Sequence, residues 1–347
     1  MEIPLLTNML EDMFKHSCPS IKLRSLSELL FITQDSPEIQ SLRNKVLTDC
    51  RVRDILSRQK PDGWITDGFH GYGGMEASFR LLSEMGLSRA DAAMERAIDA
   101  LAADSDRIYL GLAKVGRILD EFGLGGGLMI KASLLAQAEI ESVPDVQSQI
   151  QVELDGFCTV TRVTSLNEVY DPYRGKLVFR AGVNWPSIYH LRLLAYSQSW
   201  RSFENRDMLV SAIRKLIAFS PIQQIYLKHK SQLIAPASFC MHDFLPQMDS
   251  MSDADWMMWF HRMELLARLG VVQYVPQLMS QVWYLKKMIV EESGKYTKRL
   301  RHDYFRRWGA YSGMMLEKDW KIEERRTSDL TFRSYLILHK SDMLQKA

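Results

Sequence analysis

Cysteine is scarce in this chain, and its few copies are widely separated. The 347 residues include four cysteines, Cys18, Cys50, Cys158 and Cys240, and no two of them form a Cys-x-x-Cys pair. A disulfide framework or a structural zinc site needs closely spaced ligands, so this spacing argues against both. We interpret the four residues as free thiols in a reducing compartment, predict no metal site, and leave any cofactor undetermined.

Long apolar runs are also missing. No segment approaches the roughly 18 uninterrupted apolar residues that a membrane-spanning helix requires. The first residues, Met-Glu-Ile-Pro-Leu-Leu, lack the basic stretch and sustained apolar stretch of a secretory signal. We therefore expect a cytoplasmic protein without a transmembrane segment.

Neither sign of charge is in excess. The chain has 44 Lys and Arg residues against 42 Asp and Glu residues, a formal net charge of +2. This balance gives no long-range attraction to nucleic acid or to a membrane and argues against a dedicated nucleic-acid binder. Hydrophobic residues at 46% and charged residues at 25% are typical of a globular protein with a core. This composition leaves the oligomeric state undetermined.

What the chain does have is a recurring helical pattern. An apolar helical stretch ends in a pair of large aliphatic residues, and a connector and a second amphipathic helix follow. The pairs are Leu29-Leu30, Leu81-Leu82, Leu134-Leu135, Leu193-Leu194, Leu265-Leu266 and the weaker Leu336-Ile337. Their separations of 52, 53, 59, 72 and 71 residues suit two helices with their loops.

Six helical hairpins either close into a ring or stack in an open array. Open arrays keep a uniform repeat length and polar ends, whereas the spacing here is irregular and residues 3–14 and 330–338 are apolar. The pattern predicts an all-α fold, an (α/α)6 toroid formed by one domain over residues 1–347, with an open helical repeat array as the alternative. Two short extended pieces are predicted, at 157–163 and 176–179.

Residues 59–64, Gln-Lys-Pro-Asp-Gly-Trp, follow the second helix of the first hairpin. Asp-Gly is a turn dipeptide, and proline stops a helix. The segment resembles the Gln-x-x-Asp-Gly-x-Trp element of the terpenoid cyclase and protein prenyltransferase toroids, although Trp64 directly follows Gly63. In that superfamily the glutamine caps a helix end and the tryptophan stacks on it, so the resemblance implies a toroid. Asp155-Gly156-Phe157 is a degenerate echo of the same element.

The catalytic motifs of that superfamily are not matched. Squalene-type cyclases use Asp-x-Asp-Asp, but this chain has Asp253-Ala254-Asp255-Trp256. It has no Asp-Asp pair of the kind that ionising terpene synthases use to hold magnesium and diphosphate. Cys240, His242 and Asp243 lie too close together to resemble the separated zinc ligands of protein prenyltransferases. The resemblance therefore implies a fold and leaves the reaction open.

Aromatic and polar residues gather just before the aliphatic pairs, where inner helices of a ring would line a central cavity. We predict that the substrate-binding residues are His70, Tyr72, Trp185, Tyr189, His190, Trp256 and Trp259. We predict that the catalytic residues are Asp253, Asp255, His261 and Glu264. The alternative is that the aromatic residues pack the core and that the two aspartates cap a helix beginning at Ser252.

A late basic cluster is interleaved with aromatic residues. Its members are Lys295, Lys298, Arg299, Arg301, His302, Arg306, Arg307, Arg325 and Arg326. An anionic partner such as a diphosphate, an acidic protein or a nucleic-acid backbone is one interpretation. Acidic residues between 317 and 324 favour instead a solvated, salt-bridged helical face.

Three functions remain open at this point. The first is a toroid enzyme acting on an isoprenoid or another apolar substrate in the central cavity. The second is a non-catalytic toroid that binds a protein or a small molecule. The third is a carbohydrate-active (α/α)6 enzyme, in which paired carboxylates perform the acid–base chemistry.

Overall fold

The computed structural model describes residues 3–103 and 106–344 and consists mainly of α-helices. The helices are, in chain order, α1 (Ile3–His16), α2 (Pro19–Glu28), α3 (Pro37–Leu47), α4 (Cys50–Ser57), α5 (Met75–Glu84), α6 (Ala92–Ala103), α7 (Tyr109–Glu121), α8 (Gly127–Gln137), α9 (Pro144–Arg162), α10 (Ile188–Tyr196), α11 (Phe203–Phe219), α12 (Asp253–Leu269), α13 (Pro276–Glu291), α14 (Asp303–Arg306) and α15 (Glu323–Lys340). The expectation of a predominantly helical protein is confirmed. Within the described ranges, no helix has the length and apolarity that crossing a bilayer requires.

Four short strands form one small sheet. They are β1 (Tyr170–Tyr173), β2 (Lys176–Phe179), β3 (Ile225–His229) and β4 (Gln232–Ile234), and they lie in that order across the sheet. β1 and β2 are antiparallel, with Tyr170 opposite Phe179. β3 and β4 are also antiparallel, with Leu227 opposite Ile234. The two central strands, β2 and β3, run parallel to each other. The predicted extended segment at 176–179 is confirmed, and the fold is therefore not purely α-helical.

The other predicted extended segment, 157–163, is wrong. Its residues belong to α9 up to Arg162, and so does the Asp155-Gly156-Phe157 echo, which is therefore not a turn. Threonine and valine favour strands when packing does not decide. In α9, however, the buried residues Val146, Ile150, Leu154, Phe157 and Val160 recur at helical spacing, and this helix packs against α8 and α11.

The chain divides into two compact units. Unit 1 contains Met1–Asp67, Gly71–Ala100 and Met248–Ala347, and unit 2 contains Gly68–His70 and Leu101–Gln247. The division passes through α6 after Ala100. A single domain over 1–347 and its closure into a toroid both stay predictions.

Helix α15 is the central element of unit 1. It contacts α1, α2, α12 and α13, and its buried residues include Leu330, Phe332, Tyr335 and Leu336. Three aliphatic pairs lie within α5, α12 and α15, while Leu29-Leu30 directly follows α2. The predicted pairs therefore mark buried helices in this unit, because they belong to the faces that pack.

Unit 2 is built around α8 and α10, which pack against each other. Residues 129–136 of α8 and 188–195 of α10 are all buried, and they include the aliphatic pairs at 134–135 and 193–194. α9 contacts both of these helices, and α11 packs on α9. A helix that is buried on every side loses its amphipathic pattern, as the almost uniformly apolar α8 shows.

The segment 59–64 forms the turn that its Asp-Gly pair predicts. Asp62 Oδ1 accepts a hydrogen bond from Trp64 N at 3.1 Å, and Gln59 Nε2 donates to Gly63 O at 3.0 Å and to Ala93 O of α6 at 2.8 Å. Gly63 has a φ of +90°, and a Cβ at this position would lie 2.3 Å from a carbonyl oxygen of α6. The turn therefore requires glycine. The superfamily that the segment resembles stays a prediction.

Candidate functional site

The four predicted catalytic residues all lie on α12 but not at one place. Asp253 and Asp255 occupy its first turn, whereas His261 and Glu264 lie farther along and are buried. At a rise of about 1.5 Å per residue, Asp255 and Glu264 are separated by about 14 Å along the helix axis. The structure therefore brings His261 and Glu264 onto one helix face and keeps the two aspartates apart from them.

The two aspartates bind backbone groups. Ser252 Oγ accepts from Asp255 N at 3.3 Å, and Asp255 Oδ2 accepts from Ser252 N at 3.0 Å, so α12 begins with a reciprocal capping box. Asp253 Oδ2 accepts from Arg301 N at 2.6 Å. Helix capping and loop attachment thus account for both carboxylates, as the alternative interpretation of the sequence expects. Their catalytic role stays a prediction.

Glu264 belongs to a closed ring of six charged side chains in unit 1, which we call the ion ring. Its members are Arg24 and Glu28 of α2, Glu84 of α5, Glu264 and Arg268 of α12, and Arg333 of α15. Positive and negative groups alternate around it, and its six closest N···O distances lie between 2.6 and 3.2 Å. The ring is formally neutral and joins four helices.

The electrostatics of the ion ring keep Glu28 and Glu84 ionised. Burial opposes the charged form of Glu28, but Arg24 and Arg268 outweigh it and lower the pKa to about 2. Burial likewise opposes ionisation of Glu84, yet Arg333 and Arg24 hold its pKa well below the usual range. One oxygen of Glu264 is 3.2 Å from Arg268 and the other is 3.0 Å from Arg333. This position gives Glu264 a structural role between helices.

The predicted substrate-binding residues of α12 are core residues. Trp256 and Trp259 are fully buried and form a cluster with Phe260 and Tyr296, with ring centroids 5.2 to 5.9 Å apart. The Trp259 indole N–H donates to Gln281 Oε1 at 2.7 Å. Tilted and edge-to-face packing of this kind stabilises aromatic cores.

Unit 2 contains four of the other predicted substrate-binding residues. Trp185, Tyr189 and His190 are buried in its interior, and His70 is half-buried in the 68–70 segment. His190 Nδ1 accepts a hydrogen bond from Ser187 N at 3.0 Å and so takes part in the N-terminal cap of α10. Burial lowers the pKa of His190 to about 3, so the imidazole is neutral at physiological pH.

Tyr72, the remaining predicted residue, lies at a large cavity. The cavity has a volume of about 600 Å³, lies in unit 1, and is lined by four arginines, Arg51, Arg58, Arg306 and Arg307. We call it the arginine groove. The exposed ring of Tyr72 and the half-buried ring of Trp308 lie on it, and Ile55, Ala77 and Leu81 supply apolar surface. The groove therefore combines cationic, aromatic and aliphatic surfaces.

Arg51 fixes one wall of the groove. Its guanidinium group bonds to both carboxylate oxygens of Asp49, at 3.1 Å and 3.0 Å. The same group donates to the carbonyl oxygens of Leu316 at 2.5 Å and Glu317 at 2.8 Å. Asp49 also caps α4, so the start of this helix and the 316–317 segment are held together by one side chain.

Trp308 is fixed on the other wall. Its indole N–H donates to Met315 O at 3.1 Å. Arg80 lies over the Trp308 ring at 5.7 Å and donates to the carbonyl oxygens of Gly309 at 2.6 Å and Ala310 at 3.0 Å. Gly313 has a φ of +100°, and a Cβ there would lie 2.6 Å from the Trp308 ring, so the loop requires glycine at this point.

The lining of the groove carries an excess of positive charge. Four arginines face one acidic lining residue, Asp54, which pairs with Arg58 at 3.2 Å. Arg306 and Arg307 share the carboxylate of Asp303. A guanidinium group has five N–H donors, so one shared carboxylate leaves most donors of these two arginines to the solvent or to a ligand.

Sequence reasoning identified only part of this groove. Tyr72 was predicted, and Arg306 and Arg307 belong to the late basic cluster, which we interpreted as a solvated face. Arg51 and Arg58 were missed, because nothing near them in the sequence indicates that α4 lies beside the 306–308 segment. In residues 3–103 and 106–344, no group of three or more histidine, cysteine or acidic side chains is placed to hold a metal ion.

Comparison with known proteins gives no relative. No family model matches the chain, and neither the curated proteins nor the solved structures include a significant match.

Proposed function

We propose that unit 1 binds an anionic small molecule in the arginine groove, with a phosphate or diphosphate group at the arginines and an apolar or aromatic body against Tyr72 and Trp308. An isoprenoid diphosphate is one member of this class. The main support is the placement of four guanidinium groups and two aromatic rings around one cavity. The volume of about 600 Å³ is in the range of small-molecule sites.

The arginines suit this class of ligand chemically. Guanidinium groups form paired, charge-assisted hydrogen bonds with phosphate oxygens, which a lysine cannot reproduce. Arg307 is 72% exposed at its side chain and Arg306 is 47% exposed, so both can reach a ligand. Arg51 is already committed to Asp49 and to two carbonyl groups, so it acts mainly to fix the wall.

Binding is the part of the function that the groove supports best. Its lining contains no histidine and one carboxylate, which falls short of an acid–base pair. An enzyme acting on an isoprenoid stays a proposal that needs a catalytic group beyond this lining. The carbohydrate-active alternative needs two carboxylates facing one bond, and Asp255 and Glu264 lie about 14 Å apart along their helix.

Calorimetry with three ligands tests the proposal. Inorganic diphosphate, geranyl diphosphate and uncharged geraniol separate the anionic part of recognition from the apolar part. We expect geranyl diphosphate to bind most tightly, because it alone uses both surfaces. Replacing Arg306 and Arg307 by glutamine removes charge-assisted bonds of about 1.5–3 kcal/mol each, which corresponds to about 10- to 100-fold in Kd per bond.

Two controls make this test specific. Arg89→Gln removes an exposed arginine of the same unit, paired with Asp99 at 3.0 Å, and should leave the Kd unchanged. Cys50 is exposed at the groove, so bound ligand should slow its alkylation but not that of the half-buried Cys158 of unit 2. Equal Kd values for the wild type and the Arg306/Arg307 double variant would disprove the proposal, as would absence of binding by both diphosphates.

We also propose that the helical hairpins close into an (α/α)6 toroid. The support is that five of the six aliphatic pairs lie within buried helices and the sixth directly follows α2. Small-angle scattering distinguishes a closed ring from an open array by its pair-distance distribution. We propose separately that the protein is cytoplasmic, because its four cysteines are unpaired, as is usual in a reducing compartment. Cell fractionation tests it.

A further inference from the structure

A second polar cluster lies in unit 2, in the irregular segment that follows β4. Ser238 and His242 are both half-buried, so both reach the solvent. Ser238 Oγ lies 3.1 Å from His242 Nε2. A serine hydroxyl and an imidazole at hydrogen-bonding distance form the basic unit of nucleophilic catalysis, provided that a third group orients the base.

The third group is a backbone carbonyl. His242 Nδ1 lies 2.9 Å from Ile222 O, and because a carbonyl oxygen can only accept, Nδ1 must carry the proton. In the neutral imidazole Nε2 is then the acceptor, and it faces Ser238 Oγ. The tautomer is thus the one in which histidine can take a proton from the serine hydroxyl.

The histidine is held firmly in this orientation. Ile222 N donates to His242 O at 2.6 Å, and Phe244 N donates to Ser220 Oγ at 3.0 Å, so two hydrogen bonds join segments 220–222 and 242–244. Met241 N donates to Ser238 O at 2.9 Å and closes the turn between serine and histidine. A base fixed in this way loses little entropy when it acts.

Gln224 supplies a second acceptor for the serine hydroxyl. Its Oε1 lies 2.5 Å from Ser238 Oγ, and its Nε2 donates to Ile225 O at 2.8 Å, which fixes the orientation of the amide. The hydroxyl of Ser238 thus has two acceptors within reach, the amide oxygen of Gln224 and the imidazole of His242. Cys240, two residues before His242, is 1% exposed and occupies a strained turn with a φ of +66°.

We propose that Ser238 and His242 form a nucleophile–base dyad that transfers acyl groups from small activated esters. Ser238 Oγ bonds to the ester carbonyl carbon while its proton moves to His242 Nε2. The ester C–O bond then breaks, and the leaving oxygen takes that proton. A water molecule next bonds to the acyl carbon and gives a proton to Nε2, which returns it to Oγ as the acyl–serine bond breaks. The dyad is independent of the arginine groove.

Covalent labelling of the full chain tests this inference. A small fluorophosphonate bonds to a nucleophilic serine with loss of fluoride, and peptide mapping by mass spectrometry identifies the serine. We expect the adduct on Ser238 of the wild type, together with a burst of nitrophenol from p-nitrophenyl acetate. His242→Asn retains an N–H group for Ile222 O but has no base, so the labelling rate should fall by at least about 100-fold.

Matched variants separate catalysis from loop structure. Ser238→Ala should lose the adduct and the burst, whereas Ser231→Ala, at an exposed serine between β3 and β4, should keep both. Circular dichroism checks that each variant is folded. The adduct on wild-type Ser238 is a readout that holds even if a variant fails to fold. No adduct on Ser238 in the wild type, or an undiminished labelling rate in His242→Asn, would overturn the dyad.

Discussion

Replacing Glu153 by glutamine tests whether this buried carboxyl group, in the interior of unit 2, is protonated in the folded protein. Glu153 lies on α9 with no exposed surface, and no described residue hydrogen-bonds to either of its carboxyl oxygens. Burial therefore raises its pKa well above 4.5, because no opposite charge offsets the loss of water. The folded protein keeps this proton at pH values at which the unfolded chain has released it.

The sign and the size of the effect follow from proton linkage. Between the ordinary pKa of 4.5 and the raised value, the folded state binds one proton more than the unfolded state. The stability contributed by Glu153 is thus complete below pH 4.5 and is lost as the pH rises toward the raised value, at about 1.4 kcal/mol per pH unit. Glutamine has nearly the same shape and cannot ionise, so Glu153→Gln lacks this slope.

Urea unfolding, followed by circular dichroism from about pH 5 to pH 7, measures the difference. We expect the variant to gain stability over the wild type as the pH rises through this range, by no more than about 1.4 kcal/mol per pH unit. Glu121→Gln, an exposed change on α7 of the same unit, should show no such trend. Parallel pH profiles for Glu153→Gln and the wild type would refute a neutral buried Glu153.

Two further substitutions concern unit 1. Arg333→Met should destabilise the protein by about 3–5 kcal/mol in urea unfolding, because two buried carboxylates of the ion ring each lose a partner. The control Arg89→Gln, at an exposed ion pair, should cost less than about 1 kcal/mol. Equal losses in the two variants would contradict this account. Glu317 has its pKa raised to about 7, by burial and then by the charge of Asp329, so the wild type loses stability as the pH rises from 4.5 to about 7. Glu317→Gln should avoid this loss and be about 3 kcal/mol more stable above that range, whereas a difference that does not change with pH would count against it.

Local patterns in the sequence predict helices, and particular residue types favour several of their ends. Gly270 ends α12 with a φ of 72°, Pro276 begins α13, and Ser252 caps α12, each as the residue type favours. These signals succeed because they depend on the backbone of a few neighbouring residues. The 157–163 segment shows the limit, since packing against other helices overrides the strand preference of its β-branched residues.

The charged clusters could not be predicted in this way. Arg24, Glu84 and Arg333 are far apart in sequence, and each of them alone is typical of an exposed helix face. Their pairing depends on how α2, α5 and α15 pack, which no local pattern specifies. The same holds for Ser238, whose distance from His242 depends on a turn of the backbone.

Arginines in unit 1 occupy two different electrostatic environments. Arg24 and Arg333 are almost fully buried and lie among carboxylates of the ion ring, so their charges are neutralised within the protein. Arg306 and Arg307 share a single carboxylate at an open cavity and keep donors for another group. Because the net charge of the chain is only +2, attraction to an anion must come from this local excess. It follows that added salt should weaken ligand binding through Arg306 and Arg307 far more than it weakens the buried ion ring.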